Sequence, residues 1–313
     1  IAAAGFGAVN WATMSKIAAS WVISPVLGGV IAAIFLAFIK AKIIYQEDKI
    51  AAARRWVPVL IGIMAAAFAS YLALKGLKRI YKIDLSLALM IGAATGFLLY
   101  FVSRPLINRQ SQGLENRNKS LKILFNIPLI LSAAMLSFAH GANDVANAVG
   151  PLAAIVHALE FDGAATKVAI PLWVMIIGAF GISFGLFLFG PKLIRMVGSQ
   201  ITKLNAMRAY CVALSAAITV IVASWLGLPV SSTHIAVGAV FGVGFYREYE
   251  VKLRAQKTAK SSKGHSIAPE ERKRRKLVRR SHFMTIIAAW VITVPAAALL
   301  SAVIFLVLNV IFV

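Results

Sequence analysis

The sequence predicts an all-α polytopic membrane protein built from inverted-topology repeats, with broken or re-entrant helices. Three observations lead there. The chain of 313 residues is 60% hydrophobic with a mean hydropathy of +0.82, far above a soluble globular domain. Its apolar residues gather in runs long enough to cross a bilayer, which takes about 20 residues per helix. Finally, helix breakers recur beside polar clusters within those runs, and two runs resemble each other while pointing in opposite directions.

Composition also excludes. The net charge of +22 does not point to nucleic acid, because the Lys and Arg residues sit in short stretches between apolar runs, where they orient a protein in the membrane. The single cysteine, Cys211, rules out an intrachain disulfide and lies in an apolar run, where it packs. The chain opens at Ile1 in mid-pattern, without a signal-peptide layout, and is expected to be a truncated piece.

Eight apolar segments can be marked. The first, 15–39, contains Pro25; the second and third are 56–74 and 85–102. A polar stretch, 103–122, follows with five Lys/Arg and one acid. The fourth segment, 123–159, is too long for one simple crossing. Segments 170–189 and 207–226 are next, then the Gly-rich 228–245, which opens on Pro229. A long polar loop, 246–282, carries thirteen Lys/Arg and four acids before the eighth segment, 283–313. Its 271–276 run is read as a basic patch facing anionic headgroups. His157, His265 and His282 lie in or beside loops and are read as solvated.

Basic loops set the orientation. Placing 246–282 in the cytoplasm puts 191–205 and 103–122 there too, and the poorly basic loop around Glu160 and Asp162 outside. Lys75, Lys78, Arg79 and Lys82 would then lie outside, against the rule, but the longer and more basic loops outvote them. The expected location is the plasma (inner) membrane.

An internal repeat fits this topology. Aligning Trp21 with Trp290 pairs Ile17 with Ile286, Ala19 with Ala288 and Ser24 with Thr293, with Pro25 and Pro295 one position out of register. The first copy runs inward and the second outward, the mark of inverted repeats with a site at their interface. The expected organisation is 1–102 as the remainder of a first repeat, 103–122 as a cytoplasmic linker, and 123–313 as the second repeat.

The candidate site is the string His140-Gly141-Ala142-Asn143-Asp144-Val145-Ala146-Asn147-Ala148-Val149-Gly150-Pro151. Asp144 is the only acid inside an apolar run, where a charge costs about 2.5–3.5 kcal/mol on insertion scales. On a helix Asn143 and Asn147 are spaced i,i+4 and share a face with Asp144. Gly141 and Gly150-Pro151 are residues expected where a membrane helix is broken. A lone Asn commonly only hydrogen-bonds a neighbouring helix; this cluster, flanked by breakers, reads as oxygen ligands. The second place is Pro229 to His234. Ser231, Ser232 and Thr233 after a proline put three hydroxyls and free N–H groups at a helix N-terminus, which suits an anion without a cationic side chain. His140 and His234 flank the two motifs as secondary candidates.

The string from Gly141 to Gly150 resembles the signature of the PiT family of inorganic phosphate transporters, and Pro229 to His234 resembles its second signature. The resemblance implies both motifs twice, once per repeat. Matching Phe6-Gly7 to Phe241-Gly242 puts the first-half copies before residue 1. It also implies phosphate at Ser231, Ser232, Thr233 and Asn147. Phosphate beside Asp144 is two like charges in a low dielectric, unfavourable by several kcal/mol. A cation must offset it, and Asp144, Asn143 and Asn147 offer hard oxygen ligands. Sodium fits best; a proton on Asp144 answers the same problem. The expectation is therefore a cation-coupled phosphate symporter in a lipid bilayer, with no cofactor and no enzymatic activity, and a homo-oligomer left open. The rivals are proton coupling, a metal–phosphate cargo, another oxyanion such as sulfate, and an intramembrane hydrolase using Asp144, His140 or Ser232.

Overall fold

The computed structural model describes residue 2 and residues 5–76, 83–161, 168–195, 204–226, 228, 230–261 and 280–312. Among them there is no strand. Among the described residues there are nine α-helices: α1 (Trp11–Ile39), α2 (Lys49–Tyr71), α3 (Leu85–Gln110), α4 (Asn118–Leu124), α5 (Asn126–Phe161), α6 (Leu172–Arg195), α7 (Ala206–Trp225), α8 (Ser232–Ser261) and α9 (Arg280–Phe312). Among the described residues seven are long and apolar enough to cross a membrane, α4 and α8 being the exceptions. The fold class is thus an all-α polytopic membrane protein. Its large apolar side chains on α6 and α9 face outward, as they do when the surrounding solvent is lipid.

Several helices run past the apolar segments that announce them. The start of α2 is set by Asp48, whose Oδ1 accepts the N–H groups of Ile50 at 3.1 Å and Ala51 at 2.9 Å. Such a cap satisfies N–H groups that have no partner within the helix. The 246–282 stretch is not all loop, since α8 continues through Phe245 to Ser261. His157 lies within α5, half-buried, rather than in a loop. His265, the 271–276 patch, Pro229 and the side chain of His282 lie outside the described residues.

The break expected at Gly141 and Gly150-Pro151 is absent: α5 runs uninterrupted for 36 residues. Proline sits inside α1, α2, α3, α6 and α9 as well, at Pro25, Pro58, Pro105, Pro191 and Pro295. In a membrane the freed backbone groups are satisfied by neighbours, so proline need not end a helix. The interruption that matters falls instead between α7 and α8.

Two close helix pairs position the site. Helices α1 and α8 run in the same direction, and a Cβ on Gly29 would come 2.9 Å from the Gly238 carbonyl. One on Gly238 would collide with Pro25, and one on Gly242 with Gly29. Small residues four apart let membrane helices approach backbone to backbone. Antiparallel α2 and α3 meet in the same way, a Cβ on Gly62 falling 2.9 Å from the Gly96 carbonyl.

One end of the bundle gathers described parts of three basic stretches. Lys40 pairs with Glu250, Asn116 Nδ2 donates to the Glu47 carbonyl at 2.7 Å, and Arg54 Nε donates to Ser111 Oγ at 2.6 Å. Arg208 and Arg247 lie within electrostatic reach of each other. A buried cluster including Ile39, Leu60, Leu124, Phe125 and Leu214 lies beneath, and Tyr210 Oη, buried within it, donates to the Leu60 carbonyl at 2.8 Å. The stretches 103–122, 204–208 and 246–250 therefore share one end, as the charge pattern expects.

Candidate functional site

Helix α8 begins where α5 passes. Ser231 caps α8, its Oγ accepting the His234 N–H at 3.3 Å and its carbonyl accepting the Ile235 N–H at 3.1 Å. That fixes the next side chain. Ser232, 2% exposed, donates from Oγ to Asp144 Oδ2 at 3.0 Å. His140, one turn before Asp144 on α5, places Nδ1 3.1 Å from the same carboxylate oxygen and in contact with Ser232 Oγ. A serine hydroxyl has one proton, and here it is given to Asp144. The contact from His140 therefore requires the proton on Nδ1, so that imidazole donates into the serine–carboxylate pair.

Asn147, the next turn of α5, donates from Nδ2 to the Val230 carbonyl at 3.5 Å. Its side-chain oxygen keeps its acceptor capacity. Four members of the two motifs, His140, Asp144, Asn147 and Ser232, thus lie along one seam between mid-α5 and the start of α8. His234 lies within electrostatic reach of Asp144. The three hydroxyls expected to act together do not converge. Ser231 caps its helix, Ser232 meets Asp144, and Thr233 is exposed. The side chain of Asn143 lies outside the described residues.

Chemically, the seam offers carboxylate, amide and backbone carbonyl oxygens, together with a hydroxyl and an imidazole N–H. Among the described residues no group of three or more His, Cys, Asp or Glu is placed to hold a metal ion. Carboxylate, amide and carbonyl oxygens are the ligand types that suit hard cations. The residue that sequence reading undervalued is Val230. Its carbonyl becomes a contact only because the chain is non-helical just before α8, and the single proline that opens the motif, Pro229, is the signal for that.

Residues 1–301 match the family model described as the phosphate transporter family. The chain belongs to the phosphate transporter family. It is 44% identical over 365 aligned positions to a Helicobacter pylori protein named "Putative phosphate permease", covering 99% of this chain and 68% of that one. It is 32% identical to the Arabidopsis thaliana protein named "Inorganic phosphate transporter 2-1, chloroplastic", covering 96% of this chain and 50% of the plant protein. A solved structure described as "The sodium-dependent phosphate transporter" superposes with a TM-score of 0.79 at 32% identity, over 99% of this chain and 70% of that one. Family relatives and structural neighbour are transporters, and the resemblance drawn from the two motifs is borne out.

Proposed function

We propose that this protein moves inorganic phosphate across a bilayer by symport with sodium, using the Asp144–Ser232 seam as the coupling site. The observation that carries the reading is the single carboxylate of the apolar segments held between His140 and Ser232. In this reading sodium binds Asp144 with the side-chain oxygens of Asn143 and Asn147. The bound cation offsets the carboxylate and frees the Ser232 hydroxyl from it, and phosphate then docks at the N-terminal end of α8, where N–H groups and the Ser232 and Thr233 hydroxyls favour an anion. The description of the structural neighbour as sodium-dependent supports the choice of ion.

The repeat organisation belongs to the same proposal. Pro25 in α1 and Pro295 in α9 occupy corresponding places in two helices of similar length, which supports reading 1–102 and 123–313 as inverted repeats. The end that carries 103–122 and Glu250 faces the cytoplasm by its excess of Lys and Arg.

One observation favours a second coupling ion. His140 beside Asp144 gives the seam two protonatable groups, so a proton there answers the electrostatic problem as sodium does. The hydrolase reading is weakened by geometry. Serine, histidine and acid do come together, yet His140 turns the same nitrogen to Ser232 and Asp144, and Ser232 donates straight to the carboxylate. A nucleophile relay needs one ring nitrogen for the serine and the other for the acid. Uptake of labelled phosphate by proteoliposomes under imposed sodium or proton gradients tests the function. Accumulation that follows the sodium gradient is expected; accumulation that follows only the proton gradient, or phosphate released from an ester, overturns it.

A further inference from the structure

Beside the site, between α1 and α7, lies a cavity of about 270 Å³. Lys16, Ser20, Ser24 and Leu27 line it from α1, Thr219 and Val222 from α7. Its surface is apolar despite the three hydroxyl residues. Ser20 Oγ is tied to the Ile17 carbonyl at 2.7 Å and Thr219 Oγ1 to the Ser215 carbonyl at 2.8 Å, while Ser24 Oγ is sealed from solvent. No acidic residue lines it, and its one charged group is Lys16, which is exposed.

Depth gives the cavity its meaning. Lys16 and Lys40 are 24 positions apart on α1 and its continuation, about 36 Å of helix, slightly more than the roughly 30 Å hydrocarbon core. That separation is enough for the two ammonium groups to reach headgroup level in opposite leaflets. From Lys16 to Leu27 the cavity descends about three turns, roughly 16 Å, which is close to the thickness of one leaflet.

We infer that the α1–α7 cavity is a lipid site, taking one acyl chain of an anionic phospholipid whose phosphate meets Lys16. An apolar slot one leaflet deep, with a cation at its mouth, fits that molecule and offers nothing to a free phosphate ion. The same cavity reaches Leu228 and Val230, and the Val230 carbonyl holds Asn147. The bound chain thus props the segment on which the neighbouring seam rests. The inference stands on the cavity and is independent of which ion drives transport.

The test reconstitutes the full chain in vesicles of equal phosphatidylglycerol and phosphatidylcholine, re-extracts it in detergent, washes it extensively and counts retained lipid by native mass spectrometry. One phosphatidylglycerol per chain should survive washing. Ala19→Trp and, separately, Val222→Phe fill the slot and should remove it. Lys16→Gln should keep a lipid but lower the preference for phosphatidylglycerol about fivefold, the size of one lysine's attraction to an anionic headgroup. Helical content by circular dichroism confirms that each variant is folded. Retention unchanged in both filled variants, or no retained lipid in the parent chain, overturns the inference; the second result means that protein rather than lipid covers the slot.

Discussion

Ser232 on α8 gives its hydroxyl proton to Asp144 on α5 across 3.0 Å, joining residues 88 positions apart. The bond links the two motifs, and replacing Asp144 by Asn removes its acceptor charge. Asp144→Asn keeps the shape but removes the negative charge that holds the cation, and sodium affinity should collapse. Sodium-driven phosphate accumulation should vanish, while phosphate exchange survives weakly because the anion no longer meets a like charge. If a proton is the coupler, the neutral side chain mimics the loaded state, and exchange stays brisk without pH dependence. Tracer flux in proteoliposomes distinguishes the two; unchanged sodium-driven accumulation removes Asp144 from the mechanism.

The adjacent serines should separate. Ser231→Ala removes a helix cap and should lower stability by about 0.5–2 kcal/mol with modest loss of phosphate affinity. Ser232→Ala removes a hydrogen bond to a carboxylate, at a cost of about 1.5–3 kcal/mol, and should also abolish most phosphate transport, because its hydroxyl belongs to the seam. Thermal unfolding and transport assays on the same preparations decide it. The idea fails if both variants lose stability and transport in equal measure.

The α1–α8 contact sets a third expectation. Gly238→Val and Gly242→Leu put side chains into the backbone of Pro25 and Gly29 and should prevent the pair from closing. Gly181→Ala, with nothing within 4 Å of the added carbon, is the control and should behave like the parent. Yield of monodisperse protein after detergent extraction is the readout, and normal yield for both large substitutions would contradict the contact.

Lys40 and Glu250 form a pair whose side chains are 13% and 15% exposed. Removing one partner leaves the other charge half-buried, so Glu250→Gln should cost about 1.5–3 kcal/mol. The double change to Lys40→Met with Glu250→Leu should recover much of it, since apolar replacements of a poorly solvated pair are often neutral. A double-mutant cycle on thermal stability measures the coupling.

Much of this architecture is legible in the residues because lipid allows few solutions. Apolar runs such as 85–102 and 207–226 become helices since backbone groups must be satisfied internally. What is not legible is where polar residues prolong a helix. Lys49, Arg54 and Arg55 extend α2 well before Trp56, and hydropathy cannot see a capped, solvated turn. Gly150-Pro151 misleads for the opposite reason, because its local preference for a break yields to the membrane's demand for continuous hydrogen bonding. At the site, Asp144 and Ser232 each stand out by chemistry, but nothing in the spacing reveals their contact. That depends on α5 and α8 both packing against α7, a long-range relation with no local trace.

Helix α8 is fastened to α1 along Pro25, Gly29, Gly238 and Gly242 by backbone contact, and again at Lys40 and Glu250. Two rods joined at both levels form a strut that resists sliding, since any shift would drive side chains into the opposing main chain. Ser232 rides at one end of that strut, whereas Asp144 belongs to a different rod. An opening of the seam that leaves the strut intact would therefore swing α5 away from it and break the Ser232–Asp144 bond.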